Sequence, residues 1–123
     1  MDDDAAQEFA REWYAAWNAH DLEGILGHYA DDVEMASPLV SVLTGAADGR
    51  IVGKDALRAY FAAGLEKYPE LHFEPLELFV GVSSLVLRYL GANGQPSAEV
   101  VFLNEKGKIS RYFAHYVAVS LAA

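Results

Sequence analysis

The chain contains no cysteine. This absence excludes disulfide bonds, thiolate metal sites and cysteine nucleophiles, and it is consistent with a reducing compartment. No apolar run approaches the length of a membrane-spanning helix. The first residues, Met1 to Asp4, are acidic where a signal peptide would be basic and then apolar. We therefore expect a cytoplasmic protein with no membrane partner.

Positive charge is scarce. Nine Lys and Arg residues stand against eighteen Asp and Glu residues, which gives a formal net charge of −9. A protein that binds nucleic acid needs clustered Lys and Arg to neutralise phosphates, whereas here these residues are scattered singly. The sequence therefore predicts no nucleic-acid partner, and the surplus of acidic residues is interpreted as surface charge that favours solubility.

Apolar residues are abundant, at 53% hydrophobic and 12% aromatic over 123 residues. That length suits one hydrophobic core and leaves little room for a second. We expect one domain over residues 1–123, with its core at about 6–118, that folds without a metal or disulfide.

Three helices are predicted in the first half of the chain. Phe9, Trp13 and Trp17 are spaced four apart, which places them on one face of the first helix. Asp21 is suited to cap the second helix, and Pro69 follows the end of the third. The predicted elements are helices at 4–20, 21–32 and 54–68, a strand at 33–37, and a loop at 39–53 with a little strand near 50–52.

After Pro69 the pattern predicts a meander of four strands, rich in β-branched and aromatic residues. Asn93-Gly94 favours a two-residue hairpin turn. That turn would place Arg88 opposite Glu99, with Leu90 opposite Ser97 and Ala92 opposite Gln95. A second turn is predicted at 105–107, with Gly107 at a bulge. The predicted strands are 71–80, 83–90, 97–104 and 109–121.

Helices that precede an antiparallel sheet indicate an α+β fold with the helices on one face. Residues 85–87 and 100–103 are continuous apolar runs, so both faces of the sheet should be covered. A second copy of the chain is the simplest cover. We predict a homodimer that packs through the outer face of the sheet.

Four segments carry a resemblance to a known family: WNAHDL at 17–22, HYADDV at 28–33, GRIVGKDAL at 49–57 and NEKGKI at 104–109. With these segments the chain resembles the SnoaL-like group of the nuclear transport factor 2-like superfamily, which includes ketosteroid isomerases and polyketide cyclases. The resemblance implies a cystatin-like cone, in which three N-terminal helices pack on a curved antiparallel sheet and enclose an apolar pocket.

The same resemblance implies a binding pocket between the helices and the sheet. Apolar walls with few polar groups suit a small hydrophobic ligand. Glu99 would act as the acid or base, while Tyr29, Tyr112, Tyr116 and Ser37 would supply hydrogen bonds. The implied ligand-binding residues are Trp13, Trp17, Tyr29, Met35, Ser37, Phe61, Tyr112 and Tyr116.

Standard ketosteroid isomerase activity is not expected. In that family an Asp before a Pro acts as the base, and a Tyr on the first helix and a strand acid bind the enolate oxygen. Here Ser37 precedes Pro38 and Trp13 stands at the Tyr position. Of the three groups, the strand acid alone is kept, as Glu99.

The position of Glu99 has two interpretations. In a pocket lined by aromatic residues its carboxyl group would have a raised pKa and could transfer protons. If it faces Arg88 across the hairpin, it is half of a surface ion pair. His115 is likewise either a pocket base or a histidine at the dimer face. Alternation along the strand places His115 on the other face of the sheet from Tyr112 and Tyr116.

The histidines and acids show no metal-ligand spacing, so no metal and no cofactor are predicted. The sequence favours a protein that binds a small apolar molecule and transfers a proton on it, as an isomerase or cyclase does. The alternative is a non-catalytic binding or dimerisation module whose interior is filled by its own aromatic side chains.

Overall fold

The computed structural model describes residues 1–91 and 94–118. This part of the chain contains four helices and six strands. The helices are α1 (Asp3–Asn18), α2 (Leu22–Leu26), α3 (Pro38–Thr44) and α4 (Lys54–Lys67). The strands are β1 (Tyr29–Ala36), β2 (Arg50–Val52), β3 (Glu74–Val80), β4 (Ser84–Leu90), β5 (Pro96–Leu103) and β6 (Ile109–Tyr116).

The strands form one curved, unclosed sheet in the order β2-β1-β6-β5-β4-β3. Neighbouring strands are antiparallel except β1 and β6, which pair in parallel. The exception arises because β1 and β6 are far apart in sequence, so no hairpin sets their direction. The helices pack on this sheet, which confirms the predicted α+β fold.

Helix α1 packs on the sheet through the face that carries Trp13 and Trp17, as the spacing predicted. The side chain of Asp2 accepts a hydrogen bond from the Ala5 N–H at 2.7 Å and so caps the first turn. The helix ends before His20, which adopts the left-handed conformation with a φ of 54°. The two indole rings are thereby held in the interior on a regular, capped helix.

A helix, α3, replaces the first part of the predicted loop at 39–53. The Ser37 hydroxyl oxygen accepts from the Leu39 N–H at 3.2 Å, and Pro38 stands at the first helical turn, where its missing N–H costs nothing. Gly45 ends α3 with a φ of 77°. The Ser-Pro pair was interpreted as the end of a strand, but it is also the start of a helix.

The second helix is shorter than predicted. Helix α2 ends at Leu26, and the following strand begins at Tyr29. Tyr29 therefore belongs to β1 and points into the interior from the sheet. The predicted turn at Gly107 is confirmed, with a φ of 73° and an N–H that donates to the Asn104 carbonyl at 3.0 Å.

The predicted register of the β4–β5 hairpin is wrong by one residue. Arg88 pairs with Ala98, and the Gly91 N–H donates to the Gln95 carbonyl at 2.9 Å. The connection thus spans three residues and not two, with Gly94 in the left-handed position at a φ of 74°. A shift of one residue moves each paired side chain to the other face. Arg88 and Glu99 are therefore not partners.

The other pairs predicted for this hairpin follow the same correction. Leu90 pairs with Pro96, and Ser97 with Tyr89. The predicted pair of Ala92 with Gln95 involves residue 92, which lies outside the described residues.

The corrected register also reassigns the faces of the sheet. The predicted register would place β4 residues 85, 87 and 89 on one face with Val100 and Phe102. In the structure Leu87 lies opposite Glu99, and Val100 lies opposite Val86 on the outer face. The buried inner positions of the two strands are Leu85, Leu87, Tyr89, Ser97, Glu99 and Val101.

No helix in residues 1–91 and 94–118 has the length and apolar character needed to cross a membrane.

Candidate functional site

A cluster of buried aromatic rings, which we call the aromatic chamber, fills the space between the helices and the inner face of the sheet. Its rings touch one another: the centroids of Phe73 and Tyr89 are 4.3 Å apart, and those of Trp17 and Phe61 are 4.8 Å apart. Such tilted contacts are favoured by the ring quadrupoles. The chamber comprises Trp13, Trp17, Tyr29, Phe61, Phe73, Tyr89 and Tyr112.

Glu99 projects into this chamber from β5, with 1% of its surface exposed. The Tyr89 hydroxyl donates a hydrogen bond to its Oε1 atom. Its other oxygen, Oε2, accepts no hydrogen bond from the residues that the structure describes. The pocket interpretation of Glu99 thus matches its position, and the interpretation as a surface ion pair with Arg88 is wrong.

The chamber changes the acidity of this carboxyl group. Burial raises the pKa of Glu99 from 4.5 to about 8, against the opposing effect of the Tyr89 and Tyr112 hydroxyl groups, which lower it. At neutral pH Glu99 is therefore mostly protonated. A neutral carboxyl group can donate a proton or a hydrogen bond, which an ionised surface glutamate cannot do.

Hydroxyl and indole groups line the chamber as hydrogen-bond donors. The Trp13 Nε1 donates to the Tyr29 hydroxyl oxygen at 3.2 Å. The Trp17 Nε1 has no hydrogen-bond partner in the described part of the chain. Burial, reinforced by the charge of Glu99, raises the pKa of Tyr89 and Tyr112 well above the ordinary value, so both hydroxyl groups keep their protons.

Met35 and Ser37 connect the chamber to the start of α3. Met35 is buried and pairs with Tyr112 across β1 and β6. Ser37 is buried and caps α3, and its hydroxyl group lies close enough to Tyr60 and Tyr116 to lower the pKa of both. Burial outweighs this effect, so both pKa values remain raised.

Tyr116 lies at the edge of the site and not in its wall, with 40% of its surface exposed. We call Ser37, Tyr60 and Tyr116 the rim, since they lie between the buried chamber and the surface. Of the predicted site residues, the structure gathers Trp13, Trp17, Tyr29, Met35, Phe61, Glu99 and Tyr112 in the interior, with Ser37 and Tyr116 at the rim.

Three site residues were missed: Tyr60, Phe73 and Tyr89. Tyr89 was detectable, because it alternates with Leu85 and Leu87 along β4 and so shares their buried face. Phe73 precedes β3, outside any periodic pattern. Tyr60 lies beside the buried Phe61 on α4, and its helical spacing from Leu57 placed it on the buried face of that helix without marking it as a site residue.

His115 lies outside the chamber. It is exposed, and its Nδ1 atom is 3.1 Å from the Phe113 carbonyl oxygen. Its position agrees with the alternation and leaves the role of a pocket base without a geometric basis. In residues 1–91 and 94–118 no three His, Asp or Glu side chains come together as a metal site would require.

Comparison with known proteins identifies one family and several solved structures that share the fold of this chain. The model of the SnoaL-like domain family matches residues 10–112. A SnoaL-like protein of unknown function from Burkholderia thailandensis aligns with 96% of this chain and 98% of its own, at 41% identity and a TM-score of 0.92. No curated protein matches the sequence significantly.

Two more distant structures share the fold. A candidate isomerase of the SnoaL-like family from Agrobacterium tumefaciens aligns with 92% of this chain and 97% of its own, at 19% identity and a TM-score of 0.71. The protein TerC, co-crystallised with polyporic acid, aligns with 91% of both chains at 19% identity and a TM-score of 0.73.

Proposed function

The chain belongs to the SnoaL-like domain family, and on that basis we propose that it binds a small, largely apolar molecule in the aromatic chamber and transfers a proton on it through Glu99. The observation that carries this proposal is the buried carboxyl group with a pKa of about 8. General acid–base catalysis is most efficient when the pKa of the group lies near the working pH. Glu99 fulfils that condition at neutral pH.

The reaction we propose is acid-catalysed enolisation of a ketone. The proton of Glu99 passes to the carbonyl oxygen, and the carboxylate so formed takes a proton from the neighbouring carbon, which restores the acid. The electron pair of that C–H bond becomes the second bond of the enol C=C, and the π pair of the C=O bond forms the new O–H bond. Tyr89, which donates to Oε1, stabilises the carboxylate formed in between.

Two of the distant relatives support the choice of ligand and reaction. The description of the Agrobacterium protein as a candidate isomerase fits proton transfer. The co-crystallisation of TerC with polyporic acid fits the binding of a small organic molecule by a protein of this fold. Since both are 19% identical to this chain, they share its fold, and their chemistry comes to this chain as part of the proposal.

Deuterium exchange tests the reaction directly. The probe is 1-tetralone in D₂O, whose hydrogens next to the carbonyl are followed by proton NMR. We expect the wild-type protein to accelerate their loss, and Glu99→Gln to remove that acceleration. Glu77→Gln is the matched control, because Glu77 is an exposed glutamate on the outer face of the same sheet. Bound 1-tetralone that exchanges no faster than in buffer would contradict catalysis.

A second function, a non-catalytic binding or dimerisation module, is favoured by a different observation. The chamber rings contact one another directly, and the Tyr29 and Phe61 centroids are 5.4 Å apart. Rings packed in this way can serve as core without any ligand. Native mass spectrometry of the purified protein separates the two functions, since a co-purified small molecule supports ligand binding and a bare chain favours the module.

We also propose that the outer face of the sheet packs against a second copy of the chain. The Arg111 guanidinium lies 5.3 Å and 5.1 Å from the centroids of Phe102 and Phe113 on that face, and it pairs with no carboxylate in residues 1–91 and 94–118. An open groove of about 620 Å³ beside these rings is bordered by Asp48 and His115. Two copies related by a two-fold axis could pair Arg111 with Asp48.

Light scattering after size-exclusion chromatography tests this interface. We expect a dimer at micromolar concentration, and a monomer for Phe113→Asp, which places a charge among the apolar side chains. Val82→Asp is the control, because Val82 is 90% exposed and belongs to the turn before β4. A wild-type monomer would contradict the proposed dimer.

A further inference from the structure

Residues 68–73 connect α4 to β3 and belong to no helix or strand. We call this segment the strap. Its backbone hydrogen bonds are local: the Tyr68 N–H donates to the Gly64 carbonyl oxygen at 2.9 Å, and the Leu71 N–H donates to that of Tyr68 at 3.0 Å. Neither bond joins the strap to the sheet or to another helix. Its attachment to the rest of the described chain is therefore made by side chains.

Two side chains at the end of α1 and just after it hold the strap. The Asn18 Nδ2 donates to the Phe73 carbonyl oxygen at 3.0 Å, and the Asn18 Oδ1 accepts from the Phe73 N–H at 2.7 Å. The His20 Nε2 lies 2.7 Å from the Leu71 carbonyl oxygen. Because a carbonyl oxygen can only accept, this nitrogen carries a proton and donates it. We call Asn18 and His20 the latch.

One ring of the strap reaches the aromatic chamber. Phe73 is 9% exposed, and its centroid lies 4.3 Å from that of Tyr89. The other residues of the strap are exposed or half-buried. Burial raises the pKa of Tyr60 and Tyr116, and Tyr68 at the start of the strap adds to this rise. The strap therefore runs from the rim to the chamber.

A ligand of the chamber needs a way in. Trp13 is 0% exposed and Glu99 is 1% exposed, so a wall must move before a molecule reaches them. The helices and strands of the other walls carry cooperative backbone hydrogen bonds, whereas the latch and one ring hold the strap. Segments with few buried apolar contacts open at the lowest free energy. The start of β3 is also weakly paired, since Pro75 has no N–H and the register shifts between Pro75 and Leu78.

We propose that the strap is the gate of the aromatic chamber. It moves away from the domain together with Phe73, and the latch of Asn18 and His20 holds it closed. Opening breaks the three hydrogen bonds of the latch and the ring contacts of Phe73, and it leaves the helices and the sheet intact. The use of the gate rests on the proposed function, because a gate serves a protein that admits a ligand. The opening itself can be measured without a ligand, so the two can fail separately.

An introduced thiol reports the opening, because the chain has no cysteine of its own. Ser97→Cys places a thiol of similar size on the inner face of β5, where Ser97 is 6% exposed and lies between Tyr89 and Tyr116 of the adjoining strands. Tyr89 contacts one end of the strap and Tyr116 lies beside the other, so the thiol lies beneath it. Its reaction with N-ethylmaleimide is followed by mass spectrometry.

We expect this thiol to react slowly, and to react about ten- to hundred-fold faster when Asn18→Ala is added, since two hydrogen bonds of the closed strap are lost. His20→Asn should give a smaller acceleration, about three- to ten-fold, for the loss of one bond. Asn tolerates the left-handed conformation that His20 adopts, so the backbone is kept. Unchanged rates in both variants would overturn the gate, because the reagent would then enter by another route, such as the rim.

Asn104→Ala is the matched control for unfolding of the whole domain. It also removes two hydrogen bonds to backbone N–H groups, those of Lys106 and Lys108, in the turn before β6. This loss affects the closed and the open strap alike, so the rate at position 97 should stay within about two-fold. At Val33→Cys, a fully buried position on β1, global unfolding exposes the thiol, and both Asn18→Ala and Asn104→Ala should accelerate it. Equal acceleration by Asn104→Ala and Asn18→Ala at position 97 would overturn the gate.

Hydrogen exchange of the wild type keeps the test decisive if Asn18→Ala fails to fold. The Phe73 amide donates to the Asn18 Oδ1, so it exchanges when the latch opens. We expect it to exchange at least about 100-fold faster than the Val101 amide, which lies in β5 between two paired strands. Low concentrations of urea should leave its rate unchanged, because the opening exposes little surface. A Phe73 amide with the protection and the urea dependence of Val101 would contradict the gate.

Entry of a ligand is followed with 1-tetralone. The chain has two tryptophans, Trp13 and Trp17, and both lie in the chamber, so quenching of their fluorescence in stopped-flow mixing reports entry. Asn18→Ala should raise the association rate constant by about ten-fold or more, and Asn104→Ala should not. An association rate that Asn18→Ala leaves unchanged would contradict entry through the strap. If 1-tetralone does not bind, the proposed function fails, and the thiol and exchange measurements still decide whether the strap opens.

Discussion

Two glutamates on the two faces of the sheet show how position decides chemistry. Glu77 lies on the outer side, where its carboxylate pairs with Arg88 at 2.5 Å and its side chain is 55% exposed. Glu99 lies on the inner face, where its nearest partner is a tyrosine hydroxyl and water is excluded. Water stabilises the charge of Glu77, whereas the chamber favours the neutral form of Glu99. The same side chain is thus a surface ion on one face and a weak acid on the other.

The largest effect that this contrast predicts is on stability as a function of pH. The folded-state pKa of Glu99, about 8, lies above its ordinary value of 4.5, so between these values the folded protein binds more protons than the unfolded chain. Folding stability therefore falls as pH rises from 4.5 to 8 and levels off above. Glu99→Gln, which has no charge to bury, should gain stability over the wild type across this window, by up to about 5 kcal/mol at pH 9.

Urea unfolding at pH 5, 7 and 9 measures this gain. Glu77→Gln is the control for the exchange of a glutamate for a glutamine, and it should change the free energy of unfolding by less than about 1 kcal/mol, because the Glu77 side chain is 55% exposed. If the curve for Glu99→Gln ran parallel to the wild-type curve, the raised pKa of Glu99 would be wrong.

The hydroxyl group of Tyr89 gives the next effect. Tyr89→Phe leaves Oε1 of Glu99 without its donor, so the pKa of Glu99 should rise further and the free energy of unfolding should fall by about 1–3 kcal/mol. Both changes can be measured, the first from the pH at which deuterium exchange of 1-tetralone declines and the second by urea unfolding. Tyr14→Phe is the matched control, since the Tyr14 hydroxyl makes a long 3.4 Å bond to the Arg88 carbonyl and none to Glu99. Equal effects of the two substitutions would mean that the Tyr89 hydroxyl group has no special role toward Glu99.

Much of this fold could be predicted from the sequence because its signals are local. The spacing of Trp13 and Trp17 placed both rings in the interior, and Gly107 marked a turn that the structure contains. The short helix α3 was missed because Pro38 both ends a strand and begins a helix. The parallel pairing of β1 with β6 could not be predicted from local patterns, since the two strands are far apart in sequence and no turn connects them directly.

The site was harder to predict because it depends on register. Asn93-Gly94 favours a two-residue turn, but Gly94 also suits the last position of a three-residue connection, and the two differ by one residue. That single step decides whether Glu99 faces Arg88 or the aromatic chamber. Periodicity along β4 alone does not decide the register, since Leu85, Leu87 and Tyr89 share one face in both cases. Both strands must be considered together to place one carboxyl group.

The smallest effect belongs to the outer face, where the Glu77–Arg88 pair is the counterpart of Glu99 and Tyr89. Because 55% of the Glu77 side chain and 40% of that of Arg88 are exposed, water screens their attraction. A double-mutant cycle of Glu77→Gln and Arg88→Met, followed by urea unfolding at pH 7, should give a coupling free energy below about 1 kcal/mol that declines in 1 M NaCl. The corresponding cycle of Glu99→Gln and Tyr89→Phe should give a coupling that salt leaves unchanged, since ions do not enter the chamber. Coupling energies with the same salt dependence in both cycles would mean that the two faces do not differ in the way their glutamates are solvated.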